Sequence, residues 1–151
     1  MRKRKVLWII TIFWAVAIFC FSAQPAEDSS KLSNSITQKI IDGVSELQFD
    51  KSDKQEMMDT AVKVIVRKTA HFFLYFILGI LVLALVRNYP VKTGYAILIA
   101  LLICLLYAAT DEFHQRFVQG RSCELRDMGI DGLGACLGFA MTYIINKLSP
   151  N

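Results

Sequence analysis

Four stretches of mostly apolar residues, separated by polar segments, make up most of this chain. They cover about residues 6–23, 69–87, 94–110 and 128–145. An apolar run of about 18 residues forms roughly 27 Å of helix, which nearly spans the hydrocarbon core of a bilayer. The pattern predicts an all-α integral membrane protein, a four-helix bundle in which residues 1–151 form a single domain with the lipid bilayer as its main partner.

The first apolar run follows the basic sequence Arg2-Lys3-Arg4-Lys5 and precedes Ser-Ala-Gln-Pro-Ala, a combination that also occurs in cleavable signal peptides. We favour a retained helix because the run exceeds the usual signal core of about 7 to 15 residues and contains Trp8 and Trp14. The basic cluster predicts a cytoplasmic N-terminus. Four spans then return the C-terminus to the same side.

The segment between the first two spans, about residues 24–66, is polar and contains two amphipathic helical patterns. In the first, apolar residues from Ile36 to Leu47 share one face. The second begins with Ser52 and Gln55, which are spaced as a capping box, and we expect it to run directly into the next span. The chain order predicts that this whole segment is extracytoplasmic, with the first pattern lying on the membrane surface.

Two further local signals concern how the spans pack. Asn88-Tyr89-Pro90 is a turn signal, and it predicts that the second and third spans form an antiparallel hairpin. Gly134 and Gly138 in the last span form a GxxxG pattern, in which small side chains let helices approach closely.

Composition agrees with a membrane location and excludes other classes. The chain has 54% hydrophobic residues and a mean hydropathy of +0.42, which is too apolar for an ordinary soluble domain of this length. The net charge of +4 equals the charge of the N-terminal cluster alone, so no general basic surface suggests a nucleic-acid partner. The four cysteines lack disulfide or metal-ligand spacing, and we expect free thiols.

Polar residues cluster at the ends of three spans. Lys68, His71 and Tyr75 are spaced to share one helical face, and a dense polar sequence runs from Tyr107 to Asp131. An even number of crossings places these segments on the same side of the membrane. Ionisable groups at or just inside a membrane boundary are costly there and usually have a function. The candidate ligand-binding residues are Lys68, His71, Tyr75, Asp111, Glu112, Gln115, Arg121, Asp127 and Asp131.

Three kinds of chemistry are open at these positions. Lys68 or Arg121 could neutralise Glu112 or Asp127 and hold the bundle together. Alternatively, the candidate catalytic residues His71 and Glu112 could act as a general acid and base in a small membrane-embedded enzyme. The third possibility is ligand binding. Acids at a helix start are partly satisfied by backbone N–H groups. Arg121 then remains available to bind a carboxylate or phosphate through two parallel hydrogen bonds from its guanidinium group.

A metal site or another cofactor is not expected from the sequence. The set His71, Glu112, His114 and Asp127 offers ligand atoms but lacks an HExxH-type spacing. Ser122, His71 and an acid could form a Ser/His/Asp arrangement. The sequence around Ser122, however, does not resemble the nucleophile elbow in which such a serine lies.

Several of these residues together resemble the VanZ-like membrane proteins, which are named for a teicoplanin-resistance protein. The resemblance rests on Lys68-x-x-His71-x-x-x-Tyr75, Asp111-Glu112-x-x-Gln115, Gly120-Arg121, Asp127 and Gly134-x-x-x-Gly138, with Phe21-Ser22-Ala23-Gln24-Pro25 matching an N-terminal signature. Gln119 stands where the family often has Pro, and Asp131 where it often has Asn.

The resemblance implies a bacterial cell-envelope protein, associated in some members with lowered susceptibility to glycopeptides. We therefore expect a multi-pass protein of the bacterial plasma membrane with an outward-facing polar site. Its expected ligand is an anionic lipid head group, a cell-wall precursor or a glycopeptide such as teicoplanin. The alternatives are the small enzyme and a structural partner protein whose charges hold the bundle together.

Overall fold

The structure, a computed structural model, describes residues 2–24, 53–119 and 125–148, and every regular element in these ranges is a helix. The helices are α1 (Arg2–Ser22), α2 (Asp53–Val86), α3 (Thr93–Gln115) and α4 (Leu125–Leu148). Each contains a stretch long and apolar enough to cross a membrane. The predicted all-α, four-span architecture is confirmed.

Helix α2 is continuous from Asp53 to Val86, and its apolar span begins at Val64. The second amphipathic segment therefore runs into the second span without a break, as its periodicity predicts. The first amphipathic pattern, with Ile36 to Leu47, and the capping residue Ser52 lie outside the described residues.

Helix α3 extends further than the sequence pattern predicts. It continues through Gln115 instead of ending near Thr110, so Asp111 and Glu112 lie on its final turns and not in a loop. Asp111, Glu112 and Gln115 on this extension are buried, with exposures of 5% or less, whereas His114 is only partly buried. The prediction ended the span at the first acid because a hydropathy pattern treats a carboxylate as hydrated. Packing against the other helices covers these groups. Helix α4 also begins slightly earlier than predicted, at Leu125.

Helices α2 and α4 form the most extensive contact in the bundle. The backbone carbonyls of Phe72 and Phe76 lie so close to Gly134 and Gly138 that a Cβ added at either glycine would clash with them. Small residues permit such an approach where lipid supplies no hydrophobic drive for helix association. The predicted role of the GxxxG pattern is therefore seen in the structure.

Helix α1 packs against α2 and α3 and is tied to both by side-chain hydrogen bonds to backbone. The Trp14 indole Nε1 donates to the Leu74 carbonyl at 3.0 Å, and the Tyr107 hydroxyl donates to the Ala15 carbonyl at 2.6 Å. Ile18 is fully buried between these contacts, whereas Phe13 and many other large apolar side chains remain exposed on the outside of the bundle. An exposed apolar exterior is expected of helices that face lipid.

The packing gives the bundle two chemically different ends. At one end the start of α1 meets the α2–α3 turn: the Trp8 indole donates to the Tyr89 hydroxyl at 2.9 Å, and the Arg4 guanidinium carbon lies 5.0 Å from the centre of the Tyr89 ring. We call this the basic end. The other end, which we call the polar end, contains Ser22, residues 67–71 of α2, residues 111–115 of α3 and residues 127–131 of α4.

Candidate functional site

Helices α2 and α4 meet in two successive side-chain contacts at the polar end. The Lys68 ammonium pairs with the Asp127 carboxylate, and both side chains are about four-fifths buried. One helical turn further on, His71 Nδ1 lies 3.9 Å from Asp131 Oδ1. Lys68 and His71 are three residues apart on α2, and Asp127 and Asp131 are four apart on α4, so each pair shares one helical face.

A buried hydrogen-bond network joins α1 to α3. The Ser22 hydroxyl donates to Asp111 Oδ2 at 2.9 Å and accepts from Gln115 Nε2 at 2.6 Å. The Gln115 amide also lies 3.2 Å from Asp111 Oδ2. The hydroxyl therefore acts as donor and acceptor at once, and the Asp111 carboxylate is fixed in one orientation. Reasoning from the sequence missed Ser22 as a site residue. Its one signal was its place in the N-terminal signature Phe21 to Pro25.

Acidic groups are concentrated at the centre of the polar end. Asp111, Glu112 and Asp131 are exposed by only 1–2%. Buried polar groups are almost always hydrogen-bonded. Nevertheless Asp131 Oδ2 and the hydroxyl of the fully buried Tyr75 have no hydrogen-bond partner among the residues that the structure describes. These two atoms require an explanation.

A small cavity opens beside this cluster. It is lined by Arg67, Lys68, His71, Glu112, Gln115, Asp127, Ile130 and Asp131. Its volume of about 10 Å³ holds roughly one water molecule. Arg67 is half-buried and forms no ion pair with any residue in the described ranges, whereas its neighbour Lys68 is held by Asp127. The cavity therefore has a cationic group at its wall that is not internally neutralised by the described part of the chain.

Seven of the nine candidate ligand-binding residues lie in the polar end. Tyr75 lies one helical turn further along α2, where its hydroxyl interacts electrostatically with Asp111 and Asp131, and Arg121 lies outside the described residues. The cavity adds Arg67 and Ile130, which the candidate set did not include. His114 lies at the edge of the site, where its ring packs on Phe19 with centroids 4.3 Å apart.

The structure also changes which side chains could bind a metal ion. In the described part of the chain, one ligand atom each from His71, Asp111 and Asp131 lies within 4.8 Å of the other two. This group shares only His71 with the set His71, Glu112, His114 and Asp127 considered from the sequence. Asp111 and Asp131 enter it because α2, α3 and α4 all pack against one another.

Comparison with known protein families gives a match over nearly the whole chain. The model of the VanZ/LLP1 family matches residues 7–146, which is nearly the whole chain and includes all the site residues above. None of the curated proteins and none of the solved structures compared with the chain matches it.

Proposed function

The chain belongs to the VanZ/LLP1 family and has four helices able to cross a membrane, and on this basis we propose that its polar end binds an anionic head group or cell-wall-related ligand. The ligand class is one that carries a carboxylate or phosphate. The site would face outward from a bacterial plasma membrane.

The observation that carries this proposal is the position of Arg67 at the wall of the cavity. Lys68 is neutralised by Asp127, and Arg67 has no such acidic partner in the described ranges. A guanidinium is satisfied by acceptors that match its planar fork, and carboxylates and phosphates do so in a bidentate manner. Arg67 is thus a group at which an anionic ligand would gain charge-assisted hydrogen bonds.

The size of the cavity limits how such a ligand would bind. About 10 Å³ admits a single oxygen atom in place of a water molecule, and not a whole head group. We therefore place the anionic group at the mouth of the cavity against Arg67, and not inside the cavity, whose wall carries the carboxylates of Glu112, Asp127 and Asp131. The adjoining sequence contains Arg121, which we expect to contribute a second guanidinium.

We base the orientation of the site on the dense basic cluster before the first span. Arg2 to Lys5, Arg87 and Lys92 all lie near the basic end. Lys and Arg are enriched on cytoplasmic loops, and a dense cluster before the first span usually sets the topology. We place both termini in the cytoplasm and the polar end outside. A site on that surface would meet cell-wall precursors and glycopeptides, and we propose lowered susceptibility to teicoplanin as its physiological effect.

The direct test is binding of short-chain phosphatidic acid to the purified full chain in a non-ionic detergent, with short-chain phosphatidylcholine as the zwitterionic control. We expect saturable binding of phosphatidic acid alone. Equal binding of both lipids would contradict an anion-selective site. In parallel, expression in a susceptible bacterium is expected to raise the teicoplanin concentration needed to stop growth, and an unchanged value would separate head-group binding from resistance.

The Lys68–Asp127 pair favours a second reading in which part of the site only holds the bundle together. Single substitutions of His71, Glu112 and Arg121 distinguish the readings. Loss of ligand binding with normal protein level and helicity supports the binding function. Equal loss of protein level supports the structural role, and turnover of a bound ligand that depends on His71 and Glu112 would establish the enzyme.

A further inference from the structure

We propose that His71, Asp111 and Asp131 bind a divalent transition-metal ion, of the Mn²⁺ or Zn²⁺ type, at the centre of the polar end. This inference goes beyond the proposed ligand binding and does not depend on it. It concerns a site at the wall of the cavity, which His71 and Asp131 line, and where three helices each contribute one donor side chain.

The geometry of the donor atoms supports the proposal. A ligand atom from each of α2, α3 and α4 lies within 4.8 Å of the other two. With metal–ligand distances of about 2.0–2.2 Å, donor atoms around a tetrahedral ion lie roughly 3.5 Å apart. Small side-chain rotations therefore bring these atoms to coordinating distance without moving the helices.

An independent observation comes from Asp131. Its side chain is 1% exposed, and its Oδ2 has no hydrogen-bond partner among the described residues. The carboxylates of Asp111, Glu112 and Asp127 all lie close enough to repel the Asp131 carboxylate. A buried carboxylate in this setting is costly unless it is paired or coordinates a metal. A divalent cation would offset the repulsion and supply the missing partner of Oδ2.

Tyr75 provides a second buried polar atom at the same place. Its hydroxyl is fully buried, lacks a hydrogen-bond partner in the described part of the chain, and interacts electrostatically with both Asp111 and Asp131. Three protein ligands leave a tetrahedral ion with one open position, which a water molecule usually fills. Such a water would be a partner for the hydroxyl.

The neighbours of Asp111 resemble the outer hydrogen bonds that orient metal ligands. Ser22 and Gln115 both donate to its Oδ2, which fixes the carboxylate before any ion arrives. The donor set narrows the metal: an imidazole suits Zn²⁺ and related ions, whereas carboxylates suit Mg²⁺, Ca²⁺ and Mn²⁺. One imidazole with two carboxylates therefore favours Mn²⁺ or Zn²⁺ over Mg²⁺.

The test uses the full chain purified in detergent and stripped of metal with a chelator. Mn²⁺, Zn²⁺ and Mg²⁺ are added separately, and bound metal is measured after equilibrium dialysis together with the thermal unfolding midpoint. We expect one ion of Mn²⁺ or Zn²⁺ per chain, an unfolding midpoint raised by several degrees, and weaker binding of Mg²⁺. Failure of both transition metals to bind saturably would overturn the proposal.

Two variants make the result specific. Asp131→Asn keeps the side-chain shape and removes its charge, and we expect at least about tenfold weaker metal binding with unchanged helicity. His114→Gln removes the other histidine, which is not among the three donors, and is expected to bind as the unchanged chain does. Equal binding by Asp131→Asn, or an equal loss in His114→Gln, would show that the ion binds elsewhere and would overturn the site.

Discussion

The Ser22 hydroxyl donates a hydrogen bond of 2.9 Å to the Asp111 carboxylate, although the two residues are 89 positions apart in the chain. This bond joins the end of α1 to the end of α3. Ser22 is fully buried and Asp111 is 2% exposed, so water does not compete for the contact. A hydrogen bond to a buried charged group contributes more to stability than one at the surface.

Replacing Ser22 with alanine should therefore destabilise the bundle. The change removes a donor to Asp111 and an acceptor for Gln115, at a cost of about 1–3 kcal/mol. The measurement is thermal unfolding of the purified chain in detergent, followed by circular dichroism.

Thr11→Val is the matched control on the same helix. Among the described residues the Thr11 hydroxyl bonds only to the Leu7 carbonyl within α1, and its loss should cost about 0.5 kcal/mol or less. Similar losses in both variants would count against a special role for Ser22.

Replacing Gly138 with alanine should weaken the α2–α4 contact. The added methyl group would meet the Phe76 carbonyl and the Ile80 amide, which are backbone atoms that cannot rotate away. Overpacking of this kind costs about 1–3 kcal/mol.

Gly129→Ala on the same helix is the control, since nothing lies within 4 Å of an added Cβ there. That change should leave stability unaltered or raise it by about 0.5–1 kcal/mol through helix propensity. If the two alanine variants unfold at the same temperature, the close helix contact is not what holds the bundle.

Replacing Arg67 with alanine should remove most anionic-ligand binding. Arg67 lines the cavity, and a charge-assisted hydrogen bond contributes about 1.5–3 kcal/mol, equivalent to roughly a tenfold loss or more in affinity. The measurement is the dissociation constant for short-chain phosphatidic acid. Arg87→Ala serves as the control, because Arg87 follows α2 at the basic end and is exposed. An unchanged affinity in Arg67→Ala would remove Arg67 from the binding site.

Replacing Arg121 with lysine tests the expectation drawn from the sequence. The change keeps the net charge but replaces a planar fork with a point charge, so bidentate contact with a carboxylate or phosphate is lost. We expect normal folding with loss of most ligand binding or teicoplanin resistance. Arg116→Lys, at an exposed position after α3, should have little effect. A fully functional Arg121→Lys protein would contradict bidentate binding by Arg121. It would favour Arg67 as the anion-binding residue, or His71 and Glu112 as a catalytic pair.

Labelling of Cys123 tests the topology. This cysteine lies between α3 and α4 in the sequence, on the side that we place outside. After replacement of Cys20, Cys104 and Cys136, a membrane-impermeant thiol reagent should label it in intact cells. A matching single-cysteine control at the basic end, Asn88→Cys, should be labelled only after lysis. The opposite pattern would reverse the orientation and place the polar end in the cytoplasm.

The main features of the fold could be predicted from local sequence patterns. Hydropathy located four spans, and Asn88-Tyr89-Pro90 marked the turn between α2 and α3. Small residues at Gly134 and Gly138 marked the surface where another helix could approach closely. These predictions succeed because span length, turn formation and side-chain size depend on residues that are near each other in the chain.

Helical spacing also predicted that Lys68, His71 and Tyr75 share one face. The even number of membrane crossings predicted that this face lies on the same side as the acids of α3 and α4. The number of crossings, however, gives only the side of the membrane. It left open whether Lys68 pairs with Glu112 or with Asp127, and it could not show that His71 lies 3.9 Å from Asp131. Those distances depend on how α2 and α4 are rotated and shifted along each other.

Only the tertiary structure identified the remaining elements of the site. It extended α3 to Gln115, joined Ser22 to Asp111, placed Arg67 at the cavity and brought Asp111 and Asp131 together with His71. The physical reason is that burial changes the properties of a polar side chain. A carboxylate that looks like a hydrated helix end in the sequence becomes a buried group needing a partner, and that partner lies on a helix distant in the chain.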